Sequence, residues 1–430
     1  MFRTIQLSIS LNKCFFEHKH MGDIDPMNFE KRILHAAYFI SKLDDKEIVI
    51  LPYGKHGKRF GEILFEKYGI KPVFYLDNYK YDNENIYAVD FLSSQDNGSR
   101  LFFVTTDDFG ICESLTNSLL KYIGNEQIFD IFHEDEKRLV LLDNERVHLD
   151  FLCPGFQKCG TTSLFESFKK NSNMFLPQEK ETFFICDMNV ESHEAFKRKY
   201  SLELTQGKIV GGIEPRYMDY AKDVYEYFGS DLKLFFCMAN PMKATVSNFK
   251  MAMRDVPDDV LNLLRKHDGE VNRSCFEEWL LENYKRCFYI DYINEYLKYF
   301  SKDKMRFIIS EEMYSSPLET MNDLQEFIGI NTEERISCDS FPKVNVHNNV
   351  TVDYPAAIVN NALNNAFLTE YDSEIKLEIS RAKQKYYKFT TTEMADFFDN
   401  NLREKVAKLY AESVSDLEML LGRSLKGIWY

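Results

Sequence analysis

The sequence predicts an α/β protein built on two successive parallel sheets, with domains expected at 1–145 and 146–430. Three observations lead there. Strand-like and helix-like segments alternate over the first 130 or so residues, the pattern of β-α-β units. The alternation restarts at His148 with an apolar run, a glycine-containing loop and an amphipathic segment. A chain of 430 residues is long enough for two or three domains with cores of their own.

In chain order, MFRTIQLSISLNKCFF alternates like a strand, and EIVILPYG reads as a strand entering a turn. KRFGEILFEKYG has the apolar spacing of a short helix, and KPVFYLDN reads as a strand ending at Asp77. LFFVTT gives another strand, ESLTNSLLKYIG a helix closed by Gly124, and QIFDIF a further strand. This is the element order of a small Rossmann-like domain. Residues 133–147 read as a polar bridge, in which LVLL also suits a strand.

Beyond the bridge, HLDFLC is a strand, PGFQKCG a loop, and TTSLFESFKKN a helix with Leu164, Phe165 and Phe168 on one face. LKLFFCMANP is a buried strand stopped at Asn-Pro, and MKATVSNFKMAMRD is helical. FEEWLLENYKRCFYIDYINEYLKYF reads as one long helical stretch, then KMRFIIS as a strand. PLETMNDLQEFIGI gives a helix running from Pro317 to a Gly329 stop, and NLREKVAKLYAESVSDLEMLLG an amphipathic tail helix.

Composition narrows the function. With 44% hydrophobic and 28% charged residues the chain is ordinarily globular. No run approaches the roughly 18 apolar residues a membrane span needs, and the first residues lack the features of a signal peptide, so a cytoplasmic protein without an integral membrane segment is expected. Nine cysteines without C-x-x-C pairs suit buried reduced thiols. A net charge of −15 disfavours nucleic acid as a partner, and leaves room for a local basic site for a small anion.

GFQKCGTT, at 155–162, has the G-x-x-x-x-G spacing of a nucleotide-binding P-loop, but Thr161 stands where that loop carries lysine. Lys158 lies inside the loop instead. A strand, a glycine loop and a helix opening with hydroxyl residues still cradle an anion, through backbone N–H groups and the positive helix end. Gly155, Gln157, Lys158, Cys159, Gly160, Thr161, Thr162 and Ser163 are therefore candidate phosphate-site residues. The missing lysine argues against an NTPase or nucleotide kinase.

PGFQKCGTTSL resembles the loop P-x-x-[KR]-x-G-T-[TS]-x-L of sulfotransferases that use 3′-phosphoadenosine 5′-phosphosulfate (PAPS). The fold implied is a P-loop-like sulfotransferase domain following the Rossmann-like one. The resemblance makes the loop the seat of the 5′-phosphosulfate, with Lys158 supporting the leaving oxygen. LPQEKETFFICD is similar to the family's K-E-x-x-F-F segment, which implies Glu181 as general base, with Lys180 before it and Glu179 a near competitor. VGGIEPRYMDY resembles E-K-[ST]-P-x-Y; Pro215 and Tyr217 match, and Gly212 and Ile213 replace the charged pair. MANPMKATVSNF resembles the 3′-phosphate site R-[ND]-P-x-x-R-x-x-S-x-[YF]. Asn240, Pro241, Ser247 and Phe249 match, whereas Ala239 and Ala244 stand in place of both arginines. MRFIISEEMYSSPLETMNDLQEFIGI resembles the late strand-loop-helix, the tail the C-terminal helix with its tryptophan, and FPKVNVHNN a loop closing over the donor. The resemblance covers roughly 148–430.

An arginine–phosphate contact contributes about 1.5–3 kcal/mol, so the alanines imply compensation by Lys243, Lys250, Arg216 or Lys343, weaker PAPS binding, or a donor lacking the 3′-phosphate. His193 and His347 are further acceptor-side candidates. No metal is implied. The acceptor expected is a carbohydrate or glycolipid hydroxyl, in a bacterial cytosolic enzyme of capsule or lipopolysaccharide synthesis. The alternative is a non-catalytic nucleotide-binding or scaffold protein that keeps the fold. In the first domain, YGKHGKRFG with YLDN resembles small Rossmann-like domains of bacterial glycan-modifying enzymes. Gly54 and Gly57 allow the turn, and Asp77 stands where a ribose hydroxyl would be accepted. One glycine of G-x-G-x-x-G is missing, which leaves placement of a sugar-linked substrate or a purely structural role as the expected use of this domain.

Overall fold

The computed structural model describes residues 26–43, 46–82, 84–132, 136–269, 271–342, 361–362 and 399–430. The strand expected at the first residues, and Lys343 and His347, lie outside them. The chain divides into two compact units, Met1–Glu145 with Met188–Glu194, and Arg146–Asp187 with Ala195–Tyr430.

The first unit contains α1 (Pro26–Ile40), β1 (Glu47–Leu51), α2 (Lys55–Tyr68), β2 (Phe74–Leu76), β3 (Ile86–Tyr87), β4 (Arg100–Val104), α3 (Phe109–Leu119), β5 (Ile128–Asp130) and α4 (Lys137–Leu142). Its sheet has the order β3-β2-β1-β4-β5 and every pair is parallel. The central strands are buried on both faces, as their unbroken apolar runs require. In the first turn of α2, Gly57 has no room for a side chain, because a Cβ would stand 2.2 Å from the Pro52 carbonyl oxygen.

Three expectations for this unit change. LVLL belongs to helix α4, since four apolar residues in a row do not distinguish a strand from one buried helical turn. Helix α3 stops at Leu119, where the Tyr122 and Ile123 N–H groups fold back onto the Leu119 carbonyl, and Gly124 instead precedes a 3₁₀ turn. Asp77 is 6% exposed, and its Oδ1 accepts the Tyr79 and Lys80 N–H groups at 2.8 and 3.0 Å. That makes it a turn-forming carboxylate.

In the second unit come β6 (Phe151–Gly155), α5 (Thr161–Phe168), β7 (Met174–Phe175), α6 (Val190–Lys199, its first turn counting with the first unit), a helical turn at Leu202–Thr205 and β8 (Ile209–Ile213). There follow α7 (Ala221–Phe228), β9 (Lys233–Met238), α8 (Pro241–Asp255), α9 (Asp258–Lys266), α10 (Arg273–Asn283), α11 (Tyr289–Leu297), β10 (Met305–Ile309), α12 (Ser310–Ser315), α13 (Pro317–Ile328) and α14 (Asn400–Leu421). The stretch expected as one helix is two, α10 and α11, separated by a 3₁₀ turn at Tyr284–Cys287. The sheet order is β10-β9-β6-β8-β7, again with every pair parallel. Its core is dense in aromatic rings, including Phe151, Phe168, Phe235 and Phe236. No disulfide joins the described cysteines. No helix among the described residues is long and apolar enough to cross a membrane.

Candidate active site

A parallel sheet sends the segment after each strand to the same edge, which is where ligands bind in open α/β folds. In the second unit the residues after β6, β7, β8, β9 and β10 are respectively 156–160, 176–183, 214–219, 239–240 and the start of α12. The segments PGFQKCGTTSL, LPQEKETFFICD, VGGIEPRYMDY, MANPMKATVSNF and MRFIISEEMYSSPLETMNDLQEFIGI, singled out by their resemblance, each lead on from one of these strands.

The loop after β6 delivers the chain into α5. Gly160 caps that helix at φ 84°, a left-handed conformation suited to glycine, and a Cβ there would lie 2.7 Å from Met313 Cε. Lys158 also has positive φ, 60°. Burial first, and then the Arg254 guanidinium, hold the Lys158 ammonium below the usual lysine range; Lys180 adds to this and Asp255 opposes it. Those partners bring α8, through Arg254, and the segment after β7, through Lys180, within electrostatic reach of the loop. Arg254 itself grips Asp255 through Nε at 2.7 Å and Nη2 at 3.1 Å.

The rest of the loop is more structural. Gly155 is buried at the end of β6, and Gln157 is half-buried. Cys159 is fully buried with its thiol 3.4 Å from the Tyr289 hydroxyl, and burial pushes it well above the usual thiol range. Its carbonyl accepts from the Ser310 hydroxyl. Thr161 is 3% exposed and Thr162 half-buried. The Ser163 hydroxyl, also buried, is bonded to Tyr314 at 2.7 Å.

After β7, Lys180 donates to Glu181 at 2.9 Å, and the two side chains are 16% and 27% exposed. Glu179 points elsewhere; it is 71% exposed and pairs with Lys199. Sequence reasoning passed over Glu214, the residue after β8. It is 2% exposed, and its carboxyl group accepts the Thr182 N–H at 2.8 and 2.9 Å, the Thr182 hydroxyl at 2.8 Å and the Phe183 N–H at 3.3 Å. Burial pushes it up to about 8; the Thr182 and Phe183 bonds oppose that shift, and the neighbouring Glu181 charge reinforces it. The only sequence signal was a carboxylate directly after an apolar strand and before proline.

At the start of α8, Ala239 and Ala244 are 8% and 1% exposed, and the Tyr289 hydroxyl donates to the Ala239 carbonyl at 3.0 Å. Asn240 caps the helix, its Oδ1 accepting the Met242 and Lys243 N–H groups at 3.0 and 3.3 Å, while its Nδ2 donates to the Trp429 carbonyl. Glu311 takes the Asn240 N–H at 3.1 Å and the Trp429 indole N–H at 3.0 Å. Lys243 is 64% exposed and 3.8 Å from Glu311. Lys243, Ser247, Lys250 and Arg254 follow one another at helical spacing along one face of α8. Arg216 stacks over the Phe183 ring at 5.0 Å.

His193 belongs to the first unit. It is fully buried, stacked on Phe39, with Nδ1 3.7 Å from Asp143 Oδ2. Asp143, His193 and Glu194 bring ligand-type atoms within 4.8 Å of one another, and Lys42 is ion-paired with Glu194 at 2.8 Å. The same unit carries an open groove of about 760 Å³ walled by Tyr81, Tyr87, Phe91 and Tyr122, with Asp90 and Lys121.

A family model described as "Sulfotransferase domain" matches residues 149–410. Among solved structures, the chain is similar to a sulfotransferase from Alicyclobacillus acidocaldarius at 18% identity and TM-score 0.42, over 65% of this chain and 98% of that one. It is similar to a mouse sulfotransferase complexed with PAP at 13% identity and TM-score 0.36, over 67% and 93%. The sulfotransferase domain from the curacin biosynthetic pathway aligns at 13% identity and TM-score 0.29, over 43% and 74%. No curated protein matches the sequence significantly.

Proposed function

The chain belongs to the sulfotransferase domain family, and from that premise we propose that it transfers a sulfuryl group from PAPS to a hydroxyl of a carbohydrate or glycolipid acceptor. The observation that carries this reading is the grouping of Lys158, whose ammonium burial disfavours, and the Lys180–Glu181 pair with the glycine-capped start of α5. A lysine whose ammonium is disfavoured by burial and by two other cations gains most from an anion placed beside it.

The donor suits this site unequally at its two ends. Gly160, Thr162, Gln157 and Lys158 make a cradle for the phosphosulfate. At the α8 end, Ser247 and Lys243 are the groups available to a 3′-phosphate, since Asn240 is engaged as a cap and Ala239 and Ala244 offer no donor. When bound, the donor supplies an activated sulfuryl group whose transfer breaks a bond to a bridging phosphate oxygen. Lys158 stabilises charge on that oxygen, and Glu181, held by Lys180, accepts the proton of the acceptor hydroxyl. Such transfer relies mainly on positioning and charge stabilisation.

The carbohydrate reading of the acceptor is supported by the groove in the first unit, where aromatic rings flanked by Asp90 and Lys121 suit a sugar. A bacterial cytoplasmic role in surface-glycan synthesis completes the proposal.

The test is sulfuryl transfer from radiolabelled PAPS to a panel of sugar acceptors, with titration of adenosine 3′,5′-bisphosphate by calorimetry. Lys158→Ala and Glu181→Ala are each expected to lower kcat by roughly 10²–10⁴-fold. Wild-type rates in both variants would remove these assignments.

A further inference from the structure

We propose that Glu214 is a positioning residue for Glu181, its buried carboxyl group holding the Thr182–Phe183 backbone so that the preceding carboxylate is presented at a fixed place. The proposal rests on the reading of Glu181 as the base.

The geometry is specific. One carboxyl group takes both successive backbone N–H groups and the Thr182 hydroxyl, at 2.8 to 3.3 Å. The Glu214 backbone N–H meanwhile donates to the Cys153 carbonyl at 2.9 Å, on β6. A single residue therefore ties the turn bearing Glu181 to the strand that leads into the Lys158 loop, so the base and the cation share one anchor.

Two features show that the turn needs holding. Phe183 has φ 57°, a conformation a bulky residue adopts only where its surroundings impose it. Tyr217 secures the next residues, with its hydroxyl accepting the Ile185 N–H at 3.1 Å and lying 3.2 Å from Thr182 Oγ1. Tyr217 is in turn fixed by the Tyr296 hydroxyl, which donates to its carbonyl at 2.7 Å.

Glu214 also titrates in a useful range, since burial lifts it to about 8. The titratable groups that sense it are Glu181, Tyr217, Tyr200 and Cys186. Below that pH it is a neutral acid; above it a second negative charge stands beside Glu181.

The experiment combines hydrogen exchange by mass spectrometry with steady-state kinetics on the full chain, comparing wild type with Glu214→Ala, Glu214→Gln and Glu181→Ala. In Glu214→Ala, amides in the 178–186 peptide are expected to exchange about 10- to 100-fold faster, while peptides from β9 and β10 keep their wild-type rates. Its kcat falls at least about tenfold, with donor KM and bisphosphate affinity within about twofold of wild type. Glu214→Gln recovers part of the lost kcat and abolishes the inflection near pH 8 in the wild-type profile of kcat. Unchanged exchange at 178–186 in Glu214→Ala, with Glu181→Ala inactive, overturns the clamp and leaves the sulfotransferase reading standing. Faster exchange with Glu181→Ala fully active shows a clamp that positions no base, and overturns both assignments.

Discussion

A carboxyl group almost sealed from water and a lysine deprived of part of its preference for charge both lie in segments that follow strands of the second sheet. Their titrations have opposite consequences. Glu214 has a folded-state value raised from 4.5 to about 8, so the folded protein holds a proton that the unfolded chain releases. The stability it contributes is fully present below pH 4.5 and is lost as pH rises through 8. The loss over that window is on the order of a few kcal/mol. Thermal melts between pH 5 and 8.5 should therefore show wild type losing more stability than Glu214→Gln; parallel curves would show that Glu214 titrates normally. None of this was legible from residue type. Glu214 works through residues 32 positions earlier, and a lone carboxylate after a strand reads as solvated. Lys158 was legible because it sits inside a recognisable glycine loop. Its tuning by Arg254, 96 residues away in sequence (254 − 158), was not.

Among the elements, strand–loop–helix units were read most reliably, because their signals are local. The α13 helix runs from Pro317 to the Gly329 cap as its punctuation predicts, and the loop between β6 and α5 lies where the glycines place it. Failures came where tertiary contacts decide. The apolar run in α4 and the break between α10 and α11 have no local marker strong enough to overrule periodicity. The capping geometry of α5 carries its own prediction. Gly160→Ala must adopt φ near 84° and push Met313 Cε aside, which costs about 1–2 kcal/mol. It should lower the melting temperature and weaken bisphosphate binding together. A variant as stable as wild type would show that the loop relaxes to a different conformation.

For the whole molecule, the division into units does not follow a single cut in the chain, because residues 188–194 fold with the first unit. Within that unit Glu136 accepts the Val190 N–H at 3.0 Å, Lys31 pairs with Glu191 at 3.1 Å, and Lys42 pairs with Glu194 at 2.8 Å. A fragment ending at Glu145 lacks all three partners. It should melt roughly 5 °C or more below the same fragment joined through a flexible linker to residues 187–196; equal melting temperatures would show that this segment is dispensable. Two sheets and their parallel order were foreseen from the restart of alternation at His148, whereas a seven-residue return excursion leaves no compositional trace. Long-range closure also governs the start of α8. Asn240 is bonded to the carbonyl of Trp429, 189 residues downstream. At about 5–20 residues per second, a ribosome takes roughly 10–40 seconds to add that stretch. The loop between β6 and α5 is thus synthesised long before the start of α8 can be locked through Trp429.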